Sequence, residues 1–192
     1  MYICVKPVPK NKEDQSLKNF NEMVEKIKAT TKQQIVIIEP TDKLEDLPIP
    51  KLQKDEQIEL VSHGQTLGIQ NDKEAIHSID KIADFLSKIL NTQKQKQPKV
   101  VIDACNSGVS FDGRPSYASR LADSILAKTG SKISVDGALS YVVMHPVSAQ
   151  FIAISDKAFD RFDKYARKGD ESFVKKLEAE KSSKSFITEV RQ

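Results

Sequence analysis

The feature that most restricts the fold of this chain is an alternation. Short β-branched runs occur at residues 2–5, 35–38, 58–61 and 99–102. Segments of helical period lie between the first and second runs and between the third and fourth. Residues 14–29 place Leu17, Phe20, Val24 and Ile27 at three- and four-residue spacing. Residues 73–91 do the same with Ile76, Ile79, Ile82, Ala83, Leu86, Ile89 and Leu90. The run Ile35-Val36-Ile37-Ile38 is apolar throughout, as a strand covered on both faces must be. A third helix is predicted from Pro115, a suitable first helical residue, to Lys128, with Leu121 and Ile125 on its apolar side. Strand-like runs return at 133–135, 139–144 and 151–154, whereas residues 41–55, with Pro48 and Pro50 among charges, read as a surface connection. Parallel strands require long crossovers, and helices supply them. The order therefore predicts an α/β fold, a mainly parallel, flavodoxin-like sheet with helices on both faces.

Composition sets the outer bounds. The chain has 192 residues, 39% hydrophobic and 30% charged, enough for one packed domain and too apolar for global disorder. Residues 1–155 are assigned to the main domain. Residues 156–192 are assigned to a charged helical extension packed on or beside it, anchored by Phe159, Phe162, Phe173 and Leu177. A net charge of +3, with both signs interspersed, argues against nucleic acid and anionic membrane as partners. No apolar run approaches the roughly 18 residues of a membrane helix, and the N-terminal residues lack a signal-peptide core. The expected location is the cytoplasm, or outside the cell after export by a dedicated secretion system. Cys4 and Cys105 with three histidines make neither a disulfide framework nor a metal site. Seven glycines without a Walker or dinucleotide loop argue against a nucleotide, so no cofactor and no metal are expected.

In a parallel sheet the chemistry belongs at the carboxyl ends of the strands. Two of the predicted strands end in reactive residues: the third runs into Ser62-His63-Gly64 and the fourth into Asp103-Ala104-Cys105-Asn106-Ser107-Gly108. Adjacent strands lie about 4.8 Å apart, so an imidazole and a thiol would meet across one crevice. The imidazole can take the thiol proton and later protonate a leaving amine, while the thiolate is the nucleophile. The N–H groups of Gly64 and Cys105 are expected to hold a developing oxyanion. Residues two apart on a strand share a side, so Asp103 is expected beneath Cys105 as an acid that pairs with a basic substrate side chain. A cap or a backbone hydrogen bond is the structural alternative for Asp103. Asp136 is a second such acid, although Asp136-Gly137 also spells a hairpin turn.

A β-run into Ser62-His63-Gly64, one helix, and a β-run into Asp103-Ala104-Cys105-Asn106-Ser107-Gly108 resemble the clan CD cysteine peptidases. That clan includes caspases, legumains, clostripain-like enzymes and self-cleaving toxin domains. The resemblance covers residues 1–155 and implies a caspase-like sheet, with the catalytic histidine falling on His63 and the nucleophile on Cys105. Caspases proper carry Gln-Ala-Cys where this chain has Asp-Ala-Cys, so aspartate specificity is not implied. In several branches the residue two before the nucleophile lines the P1 pocket, and an acid there accompanies basic P1 residues. The resulting reading is a cysteine endopeptidase cutting protein or peptide substrates after Arg or Lys. The alternatives are a silent caspase-like module that binds a protein partner, and another thiol hydrolase or acyltransferase. Self-cleavage is expected at Lys94, Lys96 or Arg114, which lie in loops. His77 is expected to be solvated on the polar side of its helix, His145 to sit in a loop without a catalytic role, and Cys4 to belong to the core.

Overall fold

The computed structural model describes residues 1–9, 14–92, 99–144, 150–154 and 186–189. Strands β1 (Tyr2–Val5), β2 (Ile35–Ile38), β3 (Ile58–Ser62), β4 (Lys99–Asp103) and β5 (Ser134–Ala138) form a parallel array in the order β2-β1-β3-β4-β5. This is the flavodoxin-like order, with its topological switch between β1 and β3. Helices α1 (Gln15–Thr30), α2 (Ile79–Leu90) and α3 (Tyr117–Thr129) cover the sheet.

Strand alternation divides the sheet into two unlike faces. Ile3, Val5, Ile58, Leu60, Val100, Ile102 and Val135 point to the side covered by α2 and α3, in one continuous apolar cluster with Ile82, Phe85, Leu86, Ile89, Leu121 and Ile125. Burying each large side chain of that cluster contributes about 1.5–3 kcal/mol. The opposite face carries Cys4 and Val61 against Phe20, Val24 and Ile27 of α1. The predicted stripe of α1 is thus its buried face, apart from Leu17, which is only partly covered. An antiparallel hairpin of β6 (Tyr141–Met144) and β7 (Phe151–Ile154) adds Met144 and Phe151 to the same cluster.

Three expectations change. The helix predicted from Pro115 starts at Tyr117, because Ser116 is the N-cap: its hydroxyl accepts the Ser119 N–H at 3.1 Å, leaving Pro115 outside. His77 is buried, not solvated. It precedes the Ser78 cap of α2, and its Nε2 meets the Glu39 carbonyl at 3.3 Å. The helical extension does not hold at residues 186–189. Phe186–Glu189 is a strand, β8, which pairs antiparallel with β5 and makes the sheet six-stranded. Phe-Ile-Thr favours a pleated edge, and the charged surroundings conceal so short a run. The anchors Phe159, Phe162, Phe173 and Leu177 lie outside the described residues, as do His145, Lys94 and Lys96. Among the described residues no helix is long and apolar enough to cross a membrane.

Candidate active site

β3 and β4 are neighbours in the sheet and run parallel, with Val61 opposite Asp103. Both release their chains at the carboxyl edge, so His63 and Cys105, each two residues beyond that pair, leave the sheet side by side. A methyl group built on Gly64 would lie 3.1 Å from the Cys105 carbonyl oxygen and 3.9 Å from its Cβ, so the two loops touch. His63 is exposed, and its Nδ1 accepts the Gln65 N–H at 3.4 Å.

Cys105 is half-buried under the hairpin. Its Sγ accepts the Val142 N–H at 3.4 Å. Burial pushes the thiol pKa up, against the opposing pull of the Val142 and Cys105 N–H groups. The loop around Cys105 is tied down on three sides. Ser107, fully buried, donates its hydroxyl to the Ile102 carbonyl at 3.1 Å and accepts the Ala138 N–H at 2.9 Å. The Asn106 N–H donates to Ser140 and the Gly108 N–H to Ala138. Asn106 sits at φ +60, a left-handed conformation that asparagine tolerates better than most residues. Gly108 and Gly137 pack backbone to backbone, and a Cβ on Gly108 would come within 2.6 Å of the Gly137 oxygen.

The two acids separate. Asp136 is inside β5, not in a hairpin turn, and its carboxylate is neutralised by Lys99 Nζ at 2.6 Å. Asp103 is 5% exposed on the α1 face of the sheet and hydrogen-bonds Glu59 of β3. Burial, and then the neighbouring Glu59 charge and hydrogen bond, raise its pKa well above the usual carboxylate range. One oxygen, Oδ2, has no hydrogen-bond partner among the described residues. The same surroundings act on Cys4, whose thiol is pushed up to about 12 by burial and then by Asp103 and Glu59, and they raise the Tyr2 hydroxyl as well. Cys4 is core, as expected. Sequence reasoning missed Glu59. Its signal was a lone acid inside the apolar run Ile58-Glu59-Leu60-Val61. No group of three or more His, Cys, Asp or Glu able to hold a metal occurs among the described residues.

A parallel α/β sheet that brings a histidine and a half-buried cysteine to neighbouring strand ends is an arrangement on which thiol hydrolysis can be built. The model of the peptidase C80 family matches residues 13–146, and the chain belongs to that family. It is a cysteine peptidase, a hydrolase acting on protein or peptide substrates. No curated protein matches the chain.

Proposed function

We propose that His63 and Cys105 form the catalytic dyad of an endopeptidase of the clan CD type. The observation that carries this reading is the pairing of β3 with β4, together with the contact of Gly64 against Cys105. In the proposed reaction the Cys105 proton passes to His63, and the sulfur attacks the scissile carbonyl carbon. The N–H groups of Gly64 and Cys105 stabilise the oxyanion. His63 protonates the departing amine, and water then releases the acyl group from the sulfur. The raised thiol pKa makes the histidine necessary, because an isolated Cys105 would be protonated at neutral pH.

The test is a pair of variants. Cys105→Ala removes the nucleophile, and His63→Ala removes the base and acid, so each is expected to lower kcat/KM by well over about a hundredfold. Activity within about tenfold of wild type in either one overturns the dyad. Iodoacetamide alkylation separates an enzyme from a silent module, since only an activated thiolate reacts fast at neutral pH.

The preference for Arg or Lys at P1 rests on Asp103 alone, because Asp136 is already paired with Lys99. The unpartnered Oδ2 supports it, and the hydrogen bond to Glu59 opposes it. A P1 peptide library decides. Arg preferred over Lys, lost in Asp103→Asn, supports the acid reading, given Arg's bidentate geometry. An apolar leading P1 residue overturns that reading and leaves the dyad standing.

A further inference from the structure

We propose that Asp72 is a positioning residue for the dyad, its carboxylate holding the loop that follows His63 against the loop that follows Cys105. The inference rests on the dyad reading and names what keeps its two halves in register. Asp72 opens a single 3-10 turn, Asp72–Glu74, at the far end of the segment leaving β3. Its Oδ2 accepts Nη1 of Arg114 at 2.7 Å, and Nη1 of Arg120 reaches both carboxylate oxygens at 3.1 Å. Arg114 also donates Nη2 to the Gln70 carbonyl at 2.6 Å. Arg114 closes the turn that starts at Phe111 in the loop beyond Cys105, and Arg120 lies in the first turn of α3.

Exposed ion pairs contribute little, so the setting of these groups matters. Arg120 is 20% exposed and its guanidinium lies over the Tyr117 ring, 5.7 Å from the centroid. Its Nε and the Tyr117 hydroxyl are buried without a hydrogen-bond partner among the described residues. Asp72 is 54% and Arg114 37% exposed, so Arg120 is the end of the network that is screened from water. Two arginines on one carboxylate, with a backbone carbonyl as a second anchor, form a network and not a lone surface pair.

Each joined loop is braced by its own hydrogen bonds. In the first, Leu67 N–H bonds the His63 carbonyl, Ile69 N–H the Gly64 carbonyl and Ile76 N–H the Thr66 carbonyl, and Leu67 and Ile69 are buried. In the second, Ser107 fixes the nucleophile loop, and Arg114 N–H bonds the Phe111 carbonyl. The two loops share the α2/α3 core through Leu67, Ile69 and Phe111, and their exposed far ends need a tie of their own. Asp72 is the join. A swing of about 1 Å between histidine and cysteine is enough to cost on the order of a hundredfold in rate.

The experiment compares Asp72→Ala and Asp72→Glu with wild type by peptide kinetics, by the pH profile of Cys105 alkylation with iodoacetamide, and by thermal melts. Asp72→Ala is expected to lower kcat about tenfold with KM within about twofold, a positional loss in the transition state alone. Its alkylation midpoint should move toward the ordinary thiol value of about 8.5, and Asp72→Glu should restore most of both. A salt bridge that only stabilises the fold would lower the melting temperature and leave the alkylation profile in place. That result, or wild-type kinetics in Asp72→Ala, overturns the proposal. If Asp72→Ala does not fold, Arg120→Gln is measured with the same expectations and the same overturning result. His63→Ala serves as the reference. A wild-type alkylation profile in His63→Ala overturns the dyad and the clamp together. An altered profile there, with an unaltered one in Asp72→Ala, overturns the clamp alone.

Discussion

The two faces of the sheet are built from the same strands and do different work. On the α2/α3 side, the strand residues that face the helices are aliphatic: Ile3, Leu60, Val100, Ile102 and Val135 are each fully buried. On the α1/hairpin side, the alternate positions of those strands mix Val61 and Val101 with Tyr2, Cys4, Glu59, Asp103 and Asp136. One face gains stability from burial and asks nothing of pH. The other buries ionisable groups, and each must find a partner or give up its charge. The thiol of Cys105 belongs to this second environment through Val142 of the hairpin. The proposed site thus lies over the face that carries the acids, and the apolar face serves as the platform beneath it.

The contrast breaks most visibly if the apolar face is opened. Leu86 of α2 is fully buried and far along the helix from the carboxyl-edge loops. Leu86→Ala should lower unfolding free energy by about 2–5 kcal/mol in urea titrations, through lost transfer energy plus a cavity. Activity per folded molecule should remain near wild type. A variant that stays equally stable but loses activity would show that the faces are not separable in this way. A smaller effect is expected where the faces meet. Ser107→Ala leaves the buried Ala138 N–H without its partner and should cost about 1–3 kcal/mol. Here, unlike Leu86→Ala, Cys105 alkylation should change too, because the same hydroxyl holds the loop that carries Cys105. An unchanged alkylation profile would remove Ser107 from the support of the site.

Period and strand ends were legible in the chain itself. The stripe Phe20-Val24-Ile27 is the buried side of α1, and the third and fourth β-runs deliver His63 and Cys105 to one edge. What escaped depends on who sits beside whom. Periodicity assigns Asp103 to a face but does not say that Glu59 on β3 is its neighbour, since that needs the register Val61 opposite Asp103. The Val142 contact to Cys105 and the Asp72–Arg114–Arg120 network likewise join residues far apart in the chain. β8 was hidden for another reason: three β-favouring residues, Phe186, Ile187 and Thr188, and one acid form an edge strand only because β5 offers them a partner.

The smallest effect expected is also the one that tests the polar face directly. Asp103 has a folded pKa well above its value of about 3.9 in an unfolded chain, chiefly through burial and then through Glu59. The native state therefore holds a proton that the unfolded state releases more readily. By linkage, the stability from Asp103 is fully present below the unfolded pKa and is lost as pH rises through the folded pKa. Among the described residues the ionisable groups that act on it or that it acts on are Glu59 on β3 and Tyr2 and Cys4 on β1, none of them a cation that would reverse the sign. Asp103→Asn keeps the shape, removes the ionisation and can donate its amide N–H to Glu59. Its melting temperature should equal or exceed that of wild type at neutral and mildly alkaline pH, by a gain on the order of 1 kcal/mol. The gain should shrink as pH falls toward the carboxylate range, and pH-dependent melts of the two proteins check it. A variant less stable than wild type at every pH would mean that the carboxyl is held charged in the fold, which overturns the protonated acid pair. Stabilisation confined to high pH would instead mark the acid pair as part of the buried sheet face beneath the nucleophile.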